Sequence, residues 1–126
     1  MRTVVAMAVV VALAAGCGRA AGDTPQGRVE VSVTAGPTCP VETTSTPCDP
    51  RPVERATLEL RTASGELVAR LSVRAGRAHA AGLDAGRYRL VPLPANGLMG
   101  TPGAIPFTIA GSGVTRLEVS YDTGIR

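Results

Sequence analysis

Apolar and polar residues alternate along most of the chain from Arg28 onward. The segment RVEVSVTA (28–35) places Val29, Val31 and Val33 on one side of an extended chain and polar side chains on the other. A period of two is typical of a β-strand with one buried face. The same pattern predicts strands in ATLELRTA (56–63), ELVARLSVR (66–74), AGRAHAAGL (75–83), RYRLVPL (87–93), IPFTI (105–109) and VTRLEVSY (114–121).

Seven short strands with turn signals between them predict an all-β domain. Two packed antiparallel sheets bury one face of every strand, so we expect a seven-stranded antiparallel β-sandwich, with an open barrel as the alternative. The 3.6-residue period of an amphipathic helix is missing after Gly27. The alternation directs the following side chains into the core: Leu58, Leu60, Leu67, Ala69, Leu71, Val73, Tyr88, Leu90, Leu117, Val119 and Tyr121.

The one long apolar segment lies at the N-terminus, in MRTVVAMAVVVALAAGC (1–17). Arg2 provides a positive charge, Val4–Ala15 an apolar run of twelve residues, and Ala14–Gly16 the small residues of a cleavage site. This arrangement predicts a secretory signal peptide over residues 1–16. A transmembrane helix would need ~20 apolar residues to cross ~30 Å of hydrocarbon, which is more than this run supplies.

The end of this segment, LAAGC (13–17), resembles the lipobox of bacterial lipoproteins. The resemblance implies cleavage before Cys17 and acylation of its thiol, which would anchor the chain on the extracytoplasmic face of the cell membrane. We interpret residues 17–27 as the lipidated cysteine with a flexible tether, and residues 28–126 as the β-sandwich domain. The alternative is cleavage after Ala20, which would leave a secreted protein without an anchor.

The other two cysteines, Cys39 and Cys48, lie in the proline-rich segment GPTCPVETTSTPCDPRPV (36–53). They could bind a metal, carry out redox chemistry or form a disulfide. A zinc site usually takes four ligands in two close pairs, and redox cysteines favour a Cys-x-x-Cys spacing at a helix terminus. Neither pattern is present, whereas a short loop easily brings two Cα atoms within ~7 Å. With Cys17 lipidated, an oxidising compartment favours a disulfide between the remaining pair.

The charged residues comprise thirteen arginines, no lysine, and ten Asp and Glu, for a formal net charge of +3. The arginines are spread along the chain and interleaved with acidic residues rather than clustered. A basic chain can bind nucleic acid, but aromatic residues for stacking are scarce and secretion removes most such contexts. We therefore expect no nucleic-acid partner. The Lys–Asn isopeptide bond of some surface pilin-like sandwiches is excluded because it requires lysine.

The segment from Gly76 to Leu90 has the pattern Gly-Arg-x-x-x-x-x-Leu-x-x-Gly-x-Tyr-x-Leu. It resembles the carboxypeptidase regulatory-like domains, which are seven-stranded sandwiches of the transthyretin-like type found in many secreted bacterial proteins. The resemblance extends over about Arg28–Tyr121 and implies a transthyretin-like or Ig-like sandwich; it does not define a function. The matching positions are Gly76, Leu83, Gly86, Tyr88 and Leu90.

The sequence contains one histidine, His79, in the weakest predicted strand. It lies on the opposite face from Ala78 and Ala80, so we expect it to be solvated. One histidine cannot supply a multi-histidine metal site, and no Ser or Cys lies in a nucleophile motif. We therefore predict no catalytic, cofactor-binding or metal-binding residues. Hydroxyisourate hydrolases share the transthyretin-like fold, but their several histidines and C-terminal Tyr-Arg-Gly-Ser type sequence are missing here.

These features predict a non-catalytic binding or scaffolding module of the cell envelope, monomeric and free of cofactors, with an envelope protein or a glycan as its partner. The loops Thr38–Pro52 and Leu93–Ala104 are the expected contact regions, because loops carry recognition on such scaffolds. Leu98 and Met99 would either pack under the end of the sandwich or form a small contact patch. The alternative function is a small envelope hydrolase or a metal-handling protein of transthyretin-like fold.

Overall fold

A computed structural model describes residues 25–41, 43, 45 and 47–126. The predicted signal peptide and Cys17 lie outside these residues. Seven strands of the described part match the predicted segments, and one short strand, β2, is additional. The strands are β1 (Gln26–Gly36), β2 (Arg51–Pro52), β3 (Arg55–Thr62), β4 (Leu67–Arg74), β5 (Arg77–Asp84), β6 (Gly86–Pro92), β7 (Ile105–Ile109) and β8 (Gly113–Asp122).

The strands form one curled sheet in the order β2-β1-β5-β4-β3-β6-β7, with β8 also paired to β1. β1 is long enough to have three neighbours: its early residues pair with β5, Thr34 and Ala35 pair with β2, and Gly27–Gly36 pair with β8. The β1–β8 pairing is parallel, whereas the other pairings are antiparallel. The prediction of a purely antiparallel sandwich was therefore wrong at this pair. The alternation of side chains is the same in parallel and antiparallel strands, so it does not predict strand direction. A parallel pair needs a long connection, and the strands β2–β7 between β1 and β8 provide it.

Two halves of the sheet, β8–β1–β5 and β4–β3–β6–β7, contribute their inner faces to a single hydrophobic core. The core is mostly aliphatic, and its buried aromatic residues are Phe107 and Tyr121. Burying one face of each strand accounts for the alternation that the sequence shows. The fully enclosed residues include Val29, Val33, Leu58, Leu60, Val73, Leu90, Val119 and Tyr121.

The turn between β4 and β5 joins the two halves. Ala75 and Gly76 form it alone, with φ values of 49° and 75°, as in a type I′ hairpin turn. The Gly76 N–H donates to the Val53 carbonyl at 2.8 Å, and the Gly76 carbonyl accepts from the Val33 N–H at 2.8 Å. A Cβ at position 76 would lie 2.7 Å from the Cβ of Pro52. The turn therefore fixes the position of the segment before β3 against β1.

One side chain departs from the predicted alternation, and one outward side chain is unexpectedly buried. Leu67 is 45% exposed, because the β3–β4 register shifts between Leu60 and Arg61 and β4 carries an extra residue there. Glu59 points to the outer face of β3 as predicted, yet only 8% of it is exposed. Two arginine side chains cover this carboxylate, as described below.

Candidate functional site

The cysteine-containing loop is closed by a disulfide between Cys39 and Cys48, as predicted, with the two Cα atoms 5.7 Å apart. A second cross-link lies next to it, since the Thr38 hydroxyl donates to the Asp49 carbonyl at 2.9 Å. In both contacts one residue lies near the beginning of the loop (Thr38, Cys39) and the other near its end (Cys48, Asp49). The loop is therefore held as a closed structure, although most of its side chains are exposed.

The C-terminal tail connects this loop with the second predicted contact loop. The Thr123 hydroxyl donates to the Pro37 carbonyl at 2.6 Å, at the start of the cysteine loop. Asp122 exchanges backbone hydrogen bonds with Gly100 at 3.1 Å and accepts one from the Met99 N–H at 2.9 Å. Both loops therefore lie at the same end of the domain.

An open groove of about 570 Å³ lies between the ends of these two loops. Arg51 and Pro52 contribute from the cysteine loop, and Pro94–Asn96 with Leu98 contribute from the second loop. Leu98 packs against the hydrophobic core, as one interpretation of these residues expects, whereas Met99 is 80% exposed and its role in a contact patch stays a prediction. The remaining lining residues are Ala35, Val53, Glu54, Arg55, Ala56, Thr57, Ser72 and Arg74.

The groove is electropositive. Arg51, Arg55 and Arg74 line it together with one carboxylate, Glu54. Arg55 and Arg74 are directly opposite each other on β3 and β4. Within the described part of the chain, none of the three arginines is within salt-bridge distance of an acidic group. An anionic group in the groove would therefore find guanidinium donors that have no carboxylate partner.

The arginines are clustered in space, although they are interleaved with acids in the sequence. The spread of the arginines along the sequence therefore does not carry over to this surface. Arg61 lies directly opposite Arg89, just as Arg55 lies opposite Arg74. Period-two spacing within β3, β4 and β6 could have shown that each strand turns its arginines outward, but their meeting depends on the register between strands.

Glu59 is the acid at the centre of this basic surface. One of its oxygens accepts a hydrogen bond from Arg61 at 3.0 Å, and the other lies 3.5 Å from the Arg70 guanidinium. The Arg61 hydrogen bond, with a smaller contribution from Arg70, lowers the pKa of Glu59. The lowered pKa favours the ionised carboxylate, which pairs with two arginine side chains.

His79 is exposed on β5, as expected, and lines a smaller groove of about 270 Å³ on the opposite side of the domain. Glu30 and Glu118 line the same groove, but Glu30 is paired with Arg28 at 3.1 Å and with Arg116 at 3.6 Å. Among the described residues there is no group of three or more His, Cys, Asp or Glu side chains that could hold a metal ion.

Residues 25–126, apart from positions 42, 44 and 46, contain no helix long and apolar enough to span a membrane. The lipid attachment predicted at Cys17 falls outside this part of the chain and stays a prediction.

Solved structures with a similar fold are found among bacterial pilins. A minor pilin of Streptococcus agalactiae aligns with a TM-score of 0.62 at 15% identity, over 79% of this chain and 45% of its own. The major pilin subunit BcpA of Bacillus cereus aligns with a TM-score of 0.58 at 19% identity, over 76% of this chain and 28% of its own. A streptococcal ancillary pilin aligns with a TM-score of 0.54 at 14% identity, over 80% of this chain and 33% of its own.

At these identities the similarity shows a shared Ig-like β-sandwich fold. The chain spans less than half the length of each of these pilins. No protein-family model and no curated protein matches the chain.

Proposed function

We propose that this chain is a non-catalytic binding or scaffolding module on the extracytoplasmic side of the cell envelope. The observation that carries the proposal is a pilin-like sandwich whose two end loops, one closed by a disulfide, border a common groove. Disulfides persist in oxidising compartments, and the structures with a similar fold include a minor pilin and a major pilin subunit. The finer relationship to carboxypeptidase regulatory-like domains rests on the segment Gly76–Leu90.

The anchor belongs to the same proposal. Acylation of Cys17 would hold the domain close to the membrane through the residues that precede β1, each buried lipid CH₂ contributing ~0.8 kcal/mol. Replacing Cys17 by Ala should release the protein from the membrane fraction into the medium or periplasm. Persistence of the Cys17→Ala protein in the membrane fraction would contradict lipidation, and a Cys39→Ala/Cys48→Ala variant serves as the control that retains the anchor.

Crosslinking in intact cells tests the binding role. A photoreactive residue at position 96 lies in the groove, and one at position 64 lies in the distant β3–β4 turn as the control. We expect the residue at position 96 to capture a discrete envelope component that the residue at position 64 does not capture. Equal capture from both positions would contradict the groove as the contact site.

The alternative function is a small envelope hydrolase or a metal-handling protein, and the groove around His79 is the observation that favours it. Metal analysis of the purified full chain decides between the two proposals. Stoichiometric metal that is lost in a His79→Ala variant would replace the binding module by a metal-handling protein.

A further inference from the structure

One face of the domain carries six arginines. The strands β4, β3, β6 and β7 lie side by side, and their inner side chains form part of the core. Their outward positions form the opposite face, which we call the arginine face. Its six arginines are Arg55, Arg61, Arg70, Arg74, Arg87 and Arg89.

The register places several of these charges against each other. Arg55 is opposite Arg74, and Arg61 is opposite Arg89. Like charges directly opposite on neighbouring strands are destabilising, because their Cβ atoms are only about 5 Å apart. Among the outward residues of these four strands, Glu59 is the one carboxylate, and it is already paired with Arg61 and Arg70. The face therefore keeps an excess positive charge that the fold itself does not neutralise.

The charge balance of the chain is strongly asymmetric as a result. The arginine face holds six of the thirteen arginines and one of the ten acidic residues, for a formal charge of +5. Since the whole chain has a formal charge of +3, all other residues together contribute −2. The basic character of this protein therefore belongs to one side of one sheet.

The arginine face is also concave at both of its ends. The 570 Å³ groove includes Arg55 and Arg74 together with the hydroxyls of Thr57 and Ser72. At the other end, a depression of about 410 Å³ is lined by Arg87, Arg89 and Thr108, among others. A band of guanidinium groups with interspersed hydroxyls thus connects two hollows.

We propose that the arginine face binds a linear anionic polysaccharide, whose repeated carboxylate, sulfate or phosphate groups pair with successive arginines. Charge complementarity favours a ligand with several anionic groups, since the guanidiniums form a band rather than a single pocket. The hydroxyls beside them can hydrogen-bond to sugar hydroxyl groups. The proposal rests on the extracytoplasmic location proposed above, because that location determines which polymers the face meets.

Two other polyanions fit the face less well. A single-stranded nucleic acid would gain from aromatic stacking. Tyr88 and Phe107 contribute to the lining of the smaller hollow, but their rings stack on each other and pack with the core, and the outward positions of these strands carry no aromatic side chain. An anionic bilayer would favour several apolar side chains that insert between headgroups, whereas the outward positions offer Leu67 at the edge of the face, the half-buried Val91 and a proline, Pro106. A flat bilayer would also leave the two hollows unfilled.

Binding of the purified full chain to polygalacturonate and heparin tests the proposal, with neutral dextran as the blank. The double variants Arg55→Gln/Arg74→Gln and Arg87→Gln/Arg89→Gln remove charges that do not support Glu59. The matched control Arg28→Gln/Arg116→Gln removes two charges from the opposite side of the domain, where both arginines pair with Glu30. Thermal unfolding of each variant confirms that it is folded.

We expect the wild-type chain to bind at least one of the two anionic glycans and to lose affinity as salt is raised. Each arginine-face double variant should weaken binding by about ten-fold or more, while the control should change it by less than about three-fold. No binding to either glycan, or an equal loss in the control, would overturn the proposal. Tighter binding to phosphatidylglycerol vesicles or to a single-stranded oligonucleotide than to both glycans would overturn it as well.

Failure of this proposal and failure of the proposed function are separable. Protease accessibility in protoplasts or spheroplasts, in which only the cytoplasmic membrane is intact, reports the extracytoplasmic location and does not depend on the arginines. A surface-accessible chain that binds no glycan would refute the ligand class alone. A chain that is protected inside cells would refute the proposed function, whatever its affinity for polyanions in solution.

Discussion

The phenolic hydroxyl of Tyr121 lies 2.7 Å from the carbonyl oxygen of Leu93 and donates a hydrogen bond to it. Tyr121 is almost completely buried at the end of β8, and Leu93 begins the loop that lines the groove. Burial raises the pKa of Tyr121, so the hydroxyl stays a donor well into the alkaline range. One side chain of the core thus holds the base of a contact loop.

Replacing Tyr121 by Phe should lower the free energy of unfolding by about 1 kcal/mol, because the Leu93 carbonyl loses its partner in a mostly buried setting. For a domain of this size, such a loss lowers the melting temperature by about 4–8 °C. Tyr88→Phe is the matched control, since the Tyr88 hydroxyl donates to the Asp84 carbonyl at 2.6 Å where water can replace it. An equal loss in both variants would contradict a special role for Tyr121.

Removing the disulfide should be more costly. The Cys39→Ser/Cys48→Ser variant is expected to lose ~2.5–3 kcal/mol of unfolding free energy, because the unfolded chain regains the freedom of the closed loop. Denaturant titrations with and without reductant measure this loss. Reductant should destabilise the wild-type chain by the same amount and leave the double variant unchanged. A wild-type chain that is insensitive to full reduction would show that the loop is held by its other contacts.

The β4–β5 turn offers a test of backbone geometry. Gly76→Ala should destabilise the domain by roughly 1–3 kcal/mol, because residue 76 has a positive φ and a Cβ there would clash with Pro52. Gly65→Ala is the control: Gly65 also has a positive φ, of 99°, but a Cβ there would meet nothing within 4 Å. Chemical denaturation of both variants separates the cost of the clash with Pro52 from the cost of the positive φ, which both positions share. A similar loss of stability in both variants would rule out the Pro52 contact as the cause of the destabilisation.

The hydrogen-bonded carboxylate of Asp122 should make the stability of the domain sensitive to acid. Hydrogen bonds from Arg126 and the Gly124 N–H lower the pKa of Asp122 from 3.8 to about 2. Since the folded-state pKa lies below the unfolded value, this interaction contributes stability above pH 3.8 and loses it as the pH falls towards 2. As the pH falls from 3.8 towards 2, the wild-type protein should therefore lose stability that the Asp122→Asn variant does not have. The difference in unfolding free energy between the two proteins should shrink over that interval. NMR titration of the Asp122 carboxyl group measures the pKa directly, and an ordinary value would contradict the hydrogen-bonded cluster.

Strand positions were predictable because burial of one face leaves a period-two signal in the sequence. IPFTI, for example, matches β7 from Ile105 to Ile109 without adjustment. The Ala75–Gly76 turn was assigned to a strand, because Ala75 lacks the Asn or Asp usual at that turn position and the left-handed conformation leaves no local trace. Strand β2 was missed for a similar reason, since Arg51–Pro52 follows a proline-rich loop and pairs through only two residues.

The candidate site was predictable only in part. The proline and glycine content of both contact loops marks them as irregular in the sequence. That they lie at the same end of the domain follows from the fold. The arginine face depends on which strands are neighbours and in which register, as the Arg61–Arg89 pair shows. Neither property follows from the composition of a single strand.

The parallel pairing of β1 and β8 has a mechanical consequence. Ten register positions, from Gly27 opposite Gly113 to Gly36 opposite Asp122, join the first and last strands of the domain. When the domain is pulled apart by the start of β1 and the end of β8, this ladder is loaded in shear, so its hydrogen bonds must yield together instead of opening one after another. Resistance to such a pull is governed by the unfolding rate rather than by equilibrium stability. A domain under tension between the residues before β1 and those after β8 would therefore carry that tension through these two strands.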